Sequence, residues 1–243
     1  MKRVIPVFSR EFSGYFNTPL GFIFVDVFLL VTGFFFFELM KFFASNQASL
    51  RNFFVMLPWV YLFFVPAISM RLLAEEKKIG TMEVLMTLPL RDWEVVLAKF
   101  FAAFIFLSVS LLLTLPLVAV VAKVATLPLD YGPIVGGYIG AILLGGAFLA
   151  IGIFFSSLTD NQIVAFILAV VTMAILLLIG LPDVVAYFPG PIQTFVSELS
   201  LMSHFYSISR GVIDSRDMLY YISVIFLFVF FTIRSVESRK WKA

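Results

Sequence analysis

The chain contains no cysteine and a single histidine, His204. Disulfides need paired cysteines, and zinc, haem and iron–sulfur centres draw on several Cys or His ligands, so none of these is expected within this chain. Charge is scarce as well: Asp, Glu, Lys and Arg make up 13% of the 243 residues, where a soluble domain carries about 25%. A net charge of +2 is too small to mark a nucleic-acid binder. What fills the chain instead is apolar, 62% of residues with 31 Phe among them, and no single globular core hides that much. The solvent for most of this surface is lipid.

Apolar runs long enough to cross a bilayer, about 20 residues each, recur six times: Leu20 to Phe43, Phe53 to Leu73, Val95 to Val121, Pro133 to Phe155, Gln162 to Leu181 and Met218 to Ile233. They are too long for strands and lack period-two alternation. The expected fold class is therefore all-α, one polytopic membrane domain over 1–243. Within it, 20–73 holds spans one and two, 95–181 spans three to five, and 218–234 span six. Twelve basic residues (Lys2, Arg3, Arg10, Arg71, Lys77, Lys78, Arg91, Lys99, Arg234, Arg239, Lys240, Lys242) fall on one side. Five (Lys41, Arg51, Lys123, Arg210, Arg216) fall on the other. The excess places both termini, including the tail 235–243, in the cytoplasm.

Met1 to Asn17, within segment 1–19, lack a continuous apolar core followed by a small-residue cleavage site, so they are expected to stay in place. Val4, Ile5, Phe8, Phe12, Tyr15 and Phe16 recur at helical spacing with polar residues between them, which predicts a helix lying in the interface. Asn17, Thr18 and Pro19 break it before the first span.

The long hydrophilic stretch on the basic side is 74–94, between spans two and three. Glu75, Glu76, Lys77 and Lys78 draw the end of span two out of the bilayer. Gly80 ends that helix, and Thr81 is placed to cap a short new one with Glu83 in its first turn, where the helix dipole favours a carboxylate. Met82, Leu85 and Met86 share a face near Val84 and Leu88 before Pro89 stops the helix. A helix this short is marginal alone, and a Met-rich face suits either a protein partner or the lipid headgroups.

Asp26 and Lys99 sit at similar depth in spans one and three and are candidates for an intramembrane ion pair, either structural or part of transport. Glu38 and Lys41 form a local pair at the outer end of span one. Span four carries Gly132, Gly136 and Gly140 at four-residue spacing with further glycines around them, a face for close helix packing or for sliding. The stretch Ser156 to Gln162 is too polar for the bilayer and is expected to be a cytoplasmic turn. Segment 182–217 is expected to hold one or two short outer-leaflet helices, in a position to gate the exit. Ser203 and His204 are adjacent there, but neighbours on a helix point about 100° apart, so they do not make a nucleophile and base.

The string AEEKKIGTMEVLMTLPLRDWEVVLAKF resembles the corresponding segment of ABC-2-type exporter permeases, and the six-span layout extends the resemblance over the chain. FLAIGIFFSSLTDNQIVA at 148–165 is similar to the gliding-motility-associated branch. The resemblance implies a permease subunit, not catalytic itself, that forms the translocation path of an ATP-driven exporter as a homo- or heterodimer in the bacterial cell membrane. It further implies a coupling segment formed by Glu75, Glu76, Gly80, Thr81, Met82, Glu83, Leu85, Met86, Leu88 and Pro89, seated in a separate ATPase subunit. No G-x-x-x-x-G-K-[ST] phosphate loop occurs, so ATP and magnesium are expected on that partner and no cofactor on this chain. Alternatives are an ion-coupled transporter using Asp26, Glu38 and Lys99, and a non-transporting scaffold. The Phe-rich spans lean towards an amphipathic cargo.

Overall fold

The computed structural model describes residues 4–39, 50–81, 91–124, 130–212 and 214–239. Among these residues the ordered elements are helical and no strand occurs. Helix α1 (Val4–Asn17) turns at Thr18, whose extended backbone precedes Pro19 at the first position of α2 (Pro19–Phe34). The chain continues as a π-helical stretch, Phe35–Leu39. Helix α3 (Arg51–Ser69) passes through a single turn residue, Met70, into α4 (Arg71–Ile79). Helix α5 (Asp92–Leu112) is followed by α6 (Leu115–Val124), α7 (Tyr131–Leu158) and α8 (Gln162–Leu178). Three short pieces come next: α9 (Pro182–Val185), α10 (Gly190–Leu199) and α11 (Leu201–Ser209). The last element is α12 (Ser215–Arg239).

Five of these helical stretches are long and apolar enough to cross a membrane: Pro19–Glu38, Arg51–Ile79, Asp92–Lys123, Tyr131–Leu158 and Ser215–Ser238. The stretch expected as span five is apolar but shorter, Gln162–Leu178; at 1.5 Å per residue it extends about 26 Å, short of a hydrocarbon core of about 30 Å. The third stretch is not one unbroken helix. It turns at Leu113–Thr114, before Pro116, where Thr114 Oγ1 donates to the Leu111 carbonyl at 2.6 Å and meets the Tyr138 hydroxyl at 2.9 Å.

Helix α7 is the hub, packed by α3, α5, α8, α11 and α12. Its glycines make this physically workable. A Cβ on Gly137 would meet the Phe54 ring, and one on Gly152 would meet the Ser69 side chain, so these positions are filled by neighbouring helices of the same chain. The core is correspondingly aromatic: Phe28 and Tyr61 from α2 and α3, Phe106 from α5, Phe148 from α7 and Phe205 from α11 are buried. Helix α8 offers only one narrow inward stripe, Ala165, Ala169, Met173 and Leu177, at four-residue spacing.

Candidate functional site

Residues 82–90 lie outside the described residues, and with them Met82, Glu83, Leu85, Met86, Leu88 and Pro89. The described part of the segment expected to couple to an ATPase is helix α4 with Gly80 and Thr81. Gly80 has φ of 77°, left-handed backbone that glycine adopts without a Cβ penalty, and its N–H donates to the Lys77 carbonyl at 3.2 Å. Thr81 Oγ1 donates to the Glu76 carbonyl at 3.4 Å.

The first turn of α4 is buried at Leu72, Leu73 and Ala74. Its carboxylates go two ways. Glu75 pairs with Arg71 one turn earlier at 3.3 Å, on the exposed side. Glu76 turns inward and meets Lys99 Nζ of α5 at 2.8 Å. The same ammonium meets Glu11 of α1 at 3.1 Å, and Lys99 retains only 2% exposure. Arg10 closes the group from the rim, 3.0 Å from Glu11 and 3.8 Å from Glu76. Two cations and two carboxylates therefore balance, the arrangement a low-dielectric setting demands. Three helices meet at Lys99.

The pairing of Asp26 with Lys99 expected from depth alone does not occur here. Asp26 is exposed on α2, while α1 runs along α5 and brings Glu11 to the ammonium. Tyr15, one turn after Glu11, stacks on Phe106 with centroids 4.4 Å apart. Burial first, and the Glu11 carboxylate second, push its phenol above the ordinary range, with Arg71 pulling the other way. Beside the group opens a cleft of about 380 Å³, lined among others by Arg10, Tyr15, Phe24, Arg71, Glu76 and Lys99. For Glu38 and Lys41, the second partner lies outside the described residues.

A second device holds α4 from behind. Met70 at the head of α4 supplies no side-chain cap, so the first-turn N–H groups need another acceptor. Ser156 of α7 provides it: its hydroxyl oxygen accepts from Leu73 N–H at 3.1 Å and Ala74 N–H at 2.9 Å, and donates to the Met70 carbonyl at 2.9 Å. The carbonyl of Ser157 accepts from the Lys77 ammonium and, at 3.2 Å, from the Ser235 hydroxyl of α12. Sequence reading assigned Ser156 to a polar turn; it is instead buried in the last turn of α7, and the turn proper is Thr159–Asn161, where Asn161 Oδ1 caps α8. A polar pair ending an apolar run was the available signal for this role, but its partner lies more than 80 residues away along the chain.

Residues 37–212 match the family model described as ABC-2 family transporter protein. No curated protein matches the sequence.

Proposed function

Because the chain belongs to the ABC-2 family of transporter proteins, whose members are multi-pass membrane components that work with an ABC ATPase, we propose that it forms half of the translocation path of an ATP-driven exporter. In this reading a second permease chain, the same or homologous, completes the path, and a separate ATPase subunit binds ATP and magnesium. Helix α8 completes a sixth crossing, a short apolar helix being accommodated by local thinning of the bilayer. An even number of crossings then leaves both termini on the cytoplasmic side with the basic residues, in a bacterial cell membrane. The similarity of residues 148–165 to the gliding-motility-associated branch is kept as part of this proposal, without an inference about motility.

The observation that carries the proposal, beside family membership, is the root of the coupling segment. Helix α4 leads straight from a membrane-crossing stretch into residues 80–89, and it is held on one side by Lys99 and on the other by Ser156. Closure of the ATPase would push on residues 80–89, and α4 would carry that push to α1, α5 and α7 together. Glu83 and the Met82, Leu85, Met86 face would seat in the ATPase.

The test is to solubilise the tagged chain gently and identify what purifies with it. A stoichiometric ATPase is expected with the wild type and is expected to be lost in Leu85→Asp. A chain that purifies alone under conditions preserving membrane complexes overturns the proposal and favours the ion-coupled reading.

A further inference from the structure

His204 lies in α11, far in sequence from α4, and it is 8% exposed. Its two ring nitrogens both face acceptors. Nε2 lies 3.0 Å from the Glu198 carbonyl at the end of α10, and a carbonyl only accepts, so Nε2 carries hydrogen. Nδ1 lies 2.7 Å from Oδ1 of Asp217 at the start of α12. With Nε2 already a donor, a hydrogen bond at Nδ1 requires a further proton between ring and carboxylate. An imidazole nitrogen holds a proton more tightly than a carboxylate oxygen does, which puts that proton on the ring.

The surroundings fit a charged ring. Tyr220 stacks over it with centroids 3.9 Å apart, a cation–π geometry. The ring stands at the C-terminal end of α10, where the helix dipole favours positive charge. Asp217 is itself 7% exposed, and its second oxygen, Oδ2, is buried with no hydrogen-bond partner among the described residues. Its negative charge is balanced by His204. The titratable groups that face the ring are Asp217, Tyr220 and Tyr221, all from α12. Helix α10 contributes the Glu198 carbonyl, and α8 meets the corner through the Leu176 carbonyl at Ser200. Helix α7 meets α11 with Gly136 and Gly140 against Ile208. Just after α11, Arg210 donates to the Tyr206 carbonyl, and the charge that acts on Tyr206 from α3 is Arg51.

Three consecutive ties join the α10–α11 corner to α12. Besides the His204–Asp217 pair, the Tyr220 hydroxyl donates to the Leu199 carbonyl and the Tyr221 hydroxyl to the Leu201 carbonyl at 2.7 Å. We propose that His204 and Asp217 form a proton-binding site, in which one proton on Nδ1 fastens this corner to the start of α12 and its loss releases it. A neutral ring has one N–H for two acceptors. Whichever it leaves, a lone pair faces an acceptor and Asp217 becomes a buried anion without a counter-charge, so the corner loosens as pH rises.

Because His204 is the only histidine, ¹⁵N-histidine labelling of the full chain, in lipid nanodiscs and with a histidine-free tag, gives an imidazole spectrum from one residue. Both ring nitrogens are expected to carry protons at the acid end of a pH series from about pH 5 to 9. As the second proton leaves, amide protection factors at 199–206 are expected to fall at least tenfold over the same pH interval. In His204→Gln those factors become independent of pH, and in Asp217→Asn the ring gives up its second proton at lower pH than in the wild type. A bare ring nitrogen at the acid end, a ring charge that never changes across the titration, or protection that does not follow it overturns the proposal.

Discussion

Lys99 is a strongly basic side chain with 2% exposure inside an otherwise apolar bundle, and its two carboxylate partners are what make that tenable. Removing one member of a buried ion pair leaves its partner's charge uncompensated, which costs about 3 kcal/mol or more. Lys99→Met is therefore expected to lower the stability of the full chain by about that amount, read as thermal unfolding in detergent. Lys99→Met with Glu76→Gln is expected to recover most of the loss, since Glu11 then keeps Arg10 at 3.0 Å. A single variant as stable as the wild type would show that the ammonium is not needed where it sits.

At the scale of elements, α4 is held by a neighbour rather than by its own sequence. It has nine residues and no side-chain cap of its own, too short to persist in isolation. Its first turn is closed by Ser156 from α7. Ser156→Ala leaves the Leu73 and Ala74 N–H groups buried without an acceptor, a loss of about 1–2 kcal/mol. The expected readout is faster hydrogen exchange at Leu73 and Ala74, by about tenfold, with exchange in the centre of α7 unchanged. Equal protection in wild type and variant would mean that the hydroxyl does not cap α4.

For the whole molecule, the consequence is that α1, α5 and α7 are tied to α4 directly, and α12 through α7. Lys99 joins α1 and α5 to it, and the Ser156–Ser157 end of α7 joins it to α12 through Ser235. A displacement of α4 therefore bears on all of these helices. If the ATPase works through residues 80–89, Glu83→Lys with Leu85→Asp in the reconstituted complex is expected to let ATP hydrolysis continue while transport stops. Transport that keeps pace with hydrolysis in that double variant would place the coupling elsewhere.

Helical class, the main apolar runs and the helix boundary at Gly80 were legible along the chain because each is a local property. Hydrophobic length sets a crossing helix, Gly80 and Pro19 mark boundaries by backbone geometry, and an acidic–basic cluster cannot remain in hydrocarbon. Partner choice was not legible. Depth along two spans suggests Asp26 for Lys99, but α1 lies along α5 and Glu76 of α4 reaches the same ammonium, which only the packing decides. The same holds for Ser156, which reads as part of a polar turn and serves as another helix's cap. It holds too for His204, whose notable neighbour in sequence is Ser203 and in space is Asp217, thirteen residues on and across a helix corner. The sequence determined by itself the helical class and the apolar runs, with boundaries at Pro19 and Gly80, because transfer free energy and backbone geometry act residue by residue. Which buried charges and hydroxyls meet was decided by the tertiary structure, because a polar group in an apolar bundle takes whichever partner the packing brings within hydrogen-bonding distance.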